Sequence, residues 1–149
     1  MAISRRKFLT FGSTACLAFL APIKAWAAWN SPAFYSKKLD DAYQYLFGTT
    51  ELIESYRIKL KAPRIVNNRD AVSISVKTSI KNVESISLFV RDNPQPFVAS
   101  FQIPTDTLPE VSTRIRLAQA STIIVVIKSS DKLFSKSQEV KLTTRGCRA

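Results

Sequence analysis

The chain has 149 residues, with 22 lysines and arginines against 11 acids, a formal net charge of +11, and no histidine. Without histidine it lacks the commonest general base and the main nitrogen ligand for zinc, copper and iron, and its two cysteines are too few for a thiolate metal site. Only Gly12, Gly48 and Gly146 are glycines, which excludes a glycine-rich phosphate loop.

At the N-terminus, Ser4-Arg5-Arg6-Lys7-Phe8-Leu9 places two adjacent arginines before an apolar pair, the pattern of a bacterial twin-arginine export signal. The weakly apolar stretch from Phe11 to Leu20 is shorter than the ~20 residues a membrane-spanning helix needs. Ala25-Trp26-Ala27 offers small residues where a signal peptidase reads them, so residues 1–27 are expected to be a cleaved signal that takes Cys16 with it. The residues before Cys16, Ser13-Thr14-Ala15, lack the leucine of a lipoprotein site. The expected location is the periplasm. The signal carries Arg5, Arg6, Lys7 and Lys24 and no acid, so 18 basic and 11 acidic residues remain, a balance of +7. Such a charge steers acidic partners or small anions. The chain shows no lysine/arginine block of the kind that marks a nucleic-acid surface. The 122 residues left after removing 27 from 149 suit one domain, residues 28–149, with a single core and no membrane insertion.

Along that domain, Ala28 to Tyr35 reads as a lead-in and Ser36 as a helix N-cap. Leu39, Ala42, Tyr43, Leu46 and Phe47 then recur at helical spacing, and Gly48 ends the helix. Asp40-Asp41 falls on its first turn and polar face, so this acidic pair is expected to be structural.

The remainder reads as strands. Tyr56, Ile58 and Leu60 alternate with charged residues up to Ala62-Pro63, and Val72, Ile74 and Val76 alternate after the turn-rich Asn67-Asn68-Arg69-Asp70. Ser85 to Val90 is more continuously apolar and closes at Asp92-Asn93-Pro94-Gln95-Pro96, followed by Phe97 to Ile103. Val111, Thr113, Ile115 and Leu117 alternate with Arg114 and Arg116 on the opposite face. Ser121 to Lys128 carries the run Ile123-Ile124-Val125-Val126-Ile127; a turn at Ser129-Ser130-Asp131-Lys132 leads to Leu133-Phe134 and a last strand from Glu139 to Thr143. Seven or eight short strands divided by turns predict an all-β fold, an immunoglobulin-like antiparallel sandwich with a short N-terminal helix.

One reactive group stands out. Cys147 lies on the terminal stretch 143–149, Thr143-Thr144-Arg145-Gly146-Cys147-Arg148-Ala149, and once the signal is removed it has no second cysteine. In an oxidising compartment an unpaired thiol on a tail is either an accident or an attachment point. Its flanking Arg145 and Arg148 favour the thiolate, though salt screens their field on a solvated tail. With no Cys-x-x-Cys pair to resolve a mixed disulfide, a redox role is the weaker reading.

Several segments carry a family resemblance: Lys38-Leu39-Asp40-Asp41-Ala42 through Leu46-Phe47-Gly48, Lys59-Leu60-Lys61-Ala62-Pro63, Asn82-Val83-Glu84-Ser85-Ile86 with Leu88-Phe89-Val90, Asn93-Pro94-Gln95-Pro96, and Val111-Ser112-Thr113-Arg114-Ile115-Arg116-Leu117-Ala118. In this order, and followed by a C-terminal Gly146-Cys147, they resemble SoxY, the carrier subunit of the bacterial sulfur-oxidising system. The resemblance implies twin-arginine export, an immunoglobulin-like sandwich and pairing with a SoxZ-like subunit. It also implies that Cys147 covalently bears thiosulfate-derived sulfur while separate periplasmic Sox enzymes act on it. The chain would then be a non-enzymatic carrier with no cofactor beyond that adduct. The family tail is typically Gly-Gly-Cys-Gly-Gly; this chain has Arg145-Gly146-Cys147-Arg148-Ala149, which keeps only the glycine before the cysteine. The alternative that this departure leaves open is a SoxZ-binding module that has lost carrier chemistry.

Overall fold

The structure is a computed structural model and describes residues 30–143. Its first element is not the expected lead-in but a short helix, α1 (Ser31–Tyr35), with Asn30 as N-cap accepting from the Ala33 N–H at 3.3 Å and Pro32 in its first turn. Ser36 closes this helix instead of opening the next: its hydroxyl donates back to the Pro32 carbonyl at 3.3 Å. Helix α2 (Leu39–Phe47) starts from an extended Lys38 that makes no side-chain cap, and it relies on Asp40 and Asp41 in the first turn to complement its dipole. Gly48 ends it as expected, in the left-handed conformation (φ 74°), its N–H donating to the Gln44 carbonyl at 2.9 Å. The Asn30 amide donates to the Tyr45 carbonyl at 2.8 Å and ties the two helices together.

Nine strands follow: β1 (Ile53–Glu54), β2 (Ile58–Lys61), β3 (Ile65–Val66), β4 (Val72–Thr78), β5 (Val83–Val90), β6 (Phe97–Gln102), β7 (Glu110–Ile115), β8 (Ser121–Ser129) and β9 (Lys132–Leu142). Two of the expected strands are shorter than read. Tyr56 sits in an exposed turn before β2, and Leu117 lies just past β7, although it is fully buried. The two short segments expected at 133–134 and 139–143 are one continuous strand, β9.

These strands form two sheets, one in the order β1-β9-β8-β5-β6 with β3 also on β9, the other in the order β2-β4-β7. Long pairs are antiparallel, whereas the two-residue strands β1 and β3 join β9 in parallel. This is the two-sheet, immunoglobulin-like sandwich that the strand spacing predicts.

Between the sheets lies an aliphatic core that includes Ile58, Val76, Ile86, Leu88, Ile115, Val125 and Val140, all nearly or fully buried. A second, aromatic core occupies the far face of the larger sheet, where α1 and α2 cover Phe89, Phe97, Ile124, Val126 and Leu133 with Ala33, Ala42 and Tyr43. Alternate strand residues face opposite sides. The run in β8 therefore divides cleanly: Ile123, Val125 and Ile127 point into the sandwich while Ile124 and Val126 meet the helices. A register shift at Leu88/Phe89 sets Phe89 opposite Phe97, their rings 5.2 Å apart, and Tyr43 meets Phe89 edge-on at 4.8 Å. Burial pushes the Tyr43 hydroxyl up to about 12, opposed by the nearby Arg91 guanidinium and reinforced by the Asp40 carboxylate.

Candidate functional site

Strand β9 leads into the terminal stretch that carries Cys147, so the site is built from what fixes this strand. The β8–β9 hairpin turns at Ser130 (φ 45°) and Asp131 (φ 64°), between the paired Ser129 and Lys132. Two successive left-handed residues are the backbone of a type I′ turn, whose twist matches that of the flanking strands. That turn sets the register of β9 from Lys132 to Val140, through Ile127↔Phe134 and Ile123↔Gln138 to Ser121↔Val140.

The other edge of β9 is also held. Near its start, Ile53 pairs with Phe134 and Glu54 with Ser135. At its end Ile65 pairs with Lys141 and Val66 with Leu142. The Lys141 N–H donates to the Arg64 carbonyl at 2.8 Å, and the Thr143 N–H donates to the Val66 carbonyl at 3.0 Å. Between these, the Gln138 amide donates to the Ala62 carbonyl. The strand is thus held by β8 as far as its own buried Val140, and from Lys141 to Thr143 by the β3 side.

Around this end the surface is mostly cationic. A cleft of about 570 Å³ is lined by Arg64, Ile65, Lys136, Gln138, Glu139 and Lys141, among others. Lys136 is engaged: its ammonium lies 3.4 Å from the Glu54 carboxylate and 5.0 Å from the centre of the Tyr56 ring. Elsewhere Lys128 and Glu84 pair at 2.8 Å, and this hydrogen bond holds the Glu84 carboxyl below its ordinary range while raising the Lys128 ammonium. Among the described residues no group of three or more His, Cys, Asp or Glu side chains could hold a metal ion.

The expected attachment residue Cys147, its neighbours Arg145, Gly146 and Arg148, and the export residues Arg5 and Arg6 lie outside the described residues, as does the boundary after Ala27. What sequence reasoning missed is the double anchoring of β9. Its signals, the dipeptides Ile53-Glu54 and Ile65-Val66, are too short to show a period.

The family description "Sulfur oxidation protein SoxY" matches residues 43–147, from the buried tyrosine of α2 to Cys147. The chain belongs to the SoxY family. A solved structure agrees: the sulfur carrier protein SoxY from Chlorobium limicola f thiosulfatophilum is 41% identical, with a TM-score of 0.65 over 73% of this chain and 95% of that one. Two more distant structures resemble the sandwich only weakly. One, from a study of T cell specificity and activation by the bacterial superantigen toxic shock syndrome toxin-1, has a TM-score of 0.41 at 8% identity, covering 58% of this chain and 99% of that one. The other, from the complex of Zinc 2-glycoprotein and Prolactin inducible protein of human seminal plasma, has a TM-score of 0.39 at 13% identity, covering 59% and 95%. No curated protein matches by sequence. In this SoxY-family chain the two-sheet body holds β9 from both edges, by β8 on one side and by β1 and β3 on the other.

Proposed function

We propose that this SoxY-family chain is a periplasmic covalent sulfur carrier, exported by the twin-arginine route, that bears thiosulfate-derived sulfur on Cys147 while other proteins process it. The observation that carries the reading is the extent of the family match, which reaches Cys147 itself. The named relative, 41% identical, is a sulfur carrier protein. The fold fits the role. Cys147 follows Thr143 by four residues, at most about 14 Å of extended chain, and Thr143 is bonded to Val66. So short a lead limits how far the thiol can reach from the end of β9.

The chemistry assigned to Cys147 is loading followed by hydrolysis. Loading joins its sulfur to the outer sulfur of thiosulfate, forming an S–S bond with loss of the thiol proton and two electrons to a separate oxidising enzyme. Hydrolysis of the terminal sulfonate by water then releases hydrogen sulfate and leaves a persulfide on the chain. In this reading separate enzymes catalyse both steps, in keeping with a chain that lacks histidine, the commonest general base. Its partner in this reading is a SoxZ-like subunit, and Sox enzymes visit the loaded tail in turn.

The second reading, a SoxZ-binding module without carrier chemistry, rests on Arg145 and Arg148 standing where glycines are typical of the family. Replacement of Cys147 by serine separates the two. The carrier reading expects Cys147→Ser to abolish growth on thiosulfate while leaving co-purification with a SoxZ-like partner intact. Normal growth of that variant would establish the binding module instead.

A further inference from the structure

The outer face of the smaller sheet carries a depression of about 650 Å³ at the place where β2 stops pairing with β4. The β2–β4 ladder runs from Ile58↔Thr78 to Lys61↔Ser75, whereas β4 continues with β7 to Val72↔Ile115. The chain leaves β4 at Ala62-Pro63 and crosses to the other sheet, where Ile65 and Val66 join β9. Val72, Ser73 and Ile74 are therefore flanked by a strand on one side only.

The phase of the ladder shows which backbone groups are left open. The Ser79 N–H donates to the Arg57 carbonyl, on the β2 side, and the Thr78 N–H donates to the Pro109 carbonyl, on the β7 side. Odd-numbered residues of β4 thus direct their N–H and C=O toward β2, and even-numbered ones toward β7. Ser73 is odd. The residue that would face it if the register went on is Pro63, which has no N–H to donate. Among the described residues the Ser73 main chain accordingly presents an unpaired donor and acceptor beside the depression. Beside the apolar Leu60, Ala62, Pro63 and Ile74, its lining carries hydroxyls and two cations. Ser73, Ser75 and Ser112 form a floor of small hydroxyls, with Ser112 donating to Ser75 at 3.0 Å, and Lys61 and Arg114 rise from either side. Neither Lys61 nor Arg114 forms an ion pair among the described residues.

We propose that this slot binds an acidic, extended segment of a partner protein, which adds as a strand to β4 at Ser73 and sets its carboxylates between Lys61 and Arg114. Strand addition needs an open edge, and here it coincides with two unpaired cations on the face to which alternate side chains of an added strand point. Neither feature is used by the sulfur chemistry proposed for Cys147, so failure of this inference leaves that reading standing.

The test uses the full chain and an end-blocked octapeptide of alternating glutamate and valine as the probe. The peptide is expected to slow hydrogen exchange at the Ser73 amide, and replacing its glutamates by glutamines should weaken binding about tenfold or more. Lys61→Glu with Arg114→Glu should weaken it as much. Ser73→Pro should remove it while both cations remain, because that N–H has no partner among the described residues. Equal binding of the glutamine peptide, or binding without protection at Ser73, would overturn the proposal. Full competition by millimolar sulfate would do so too, by making the slot a small-anion site.

Discussion

Replacing Phe89 by alanine tests whether the helices form a true third layer on the larger sheet. Phe89 is fully buried and its ring lies 4.8 Å from Tyr43, 5.2 Å from Phe97 and 6.2 Å from Phe47. The substitution deletes the centre of an aromatic cluster, and the neighbouring rings cannot close the void without moving α2. Truncations of this kind cost about 3–5 kcal/mol. For a domain of this size that corresponds to a fall in Tm of roughly 12–20 °C. Phe89→Leu, which keeps most of the volume, should lose less than about 1.5 kcal/mol. Urea unfolding gives the stability change, and hydrogen exchange at the α2 amides reports whether the helix loosens with it. A loss below about 1 kcal/mol, or α2 protection unchanged at the expected loss, would refute the packing argument.

Three further outcomes follow from particular residues. Tyr43 has its pKa raised to about 12 by burial, so the neutral hydroxyl is favoured in the folded state. Its contribution is complete below pH 10 and is lost as pH rises toward 12, on the order of 2 kcal/mol; urea titrations at pH 9 and 11.5 should show this loss in the natural chain and less of it in Tyr43→Phe. The hairpin at Ser130 and Asp131 holds two left-handed residues without glycine, so Ser130→Asn with Asp131→Gly should raise stability by about 1 kcal/mol, read as an increased urea midpoint. Arg145→Gly with Arg148→Gly restores the slimmer tail typical of the family, and turnover assays with enzymes that use conventional SoxY carriers should show faster processing; slower or unchanged rates would mean that the arginines do not obstruct.

Much of this molecule is legible in its sequence where a period is long enough to see. Val72-Ile74-Val76 and Val111-Thr113-Ile115 alternate because the smaller sheet has one buried and one solvated face. The run from Ile123 to Ile127 announces burial on both faces, but not that helices supply the second cover. Ser36 has the chemistry of an N-cap, yet it serves the helix behind it, because Pro32 and Asn30 had already started α1. The middle of β9 hides in polar residues: Lys136 is engaged with Glu54 and Tyr56, and Gln138 bonds Ala62, so neither interrupts the strand. Cys147 could be singled out because the expected export would make a lone thiol unusual. The open edge at Ser73 could not, since it depends on which residue faces Pro63 across two strands.

Sulfur carriage by Cys147, as proposed, can be tested on the protein itself. The most direct measurement is mass spectrometry of the intact chain, isolated without reductant from cells oxidising thiosulfate, with the modified peptide sequenced. The expected result is thiosulfonate and persulfide adducts confined to Cys147, both discharged by reductant. A free, unmodified Cys147 throughout thiosulfate oxidation would contradict it.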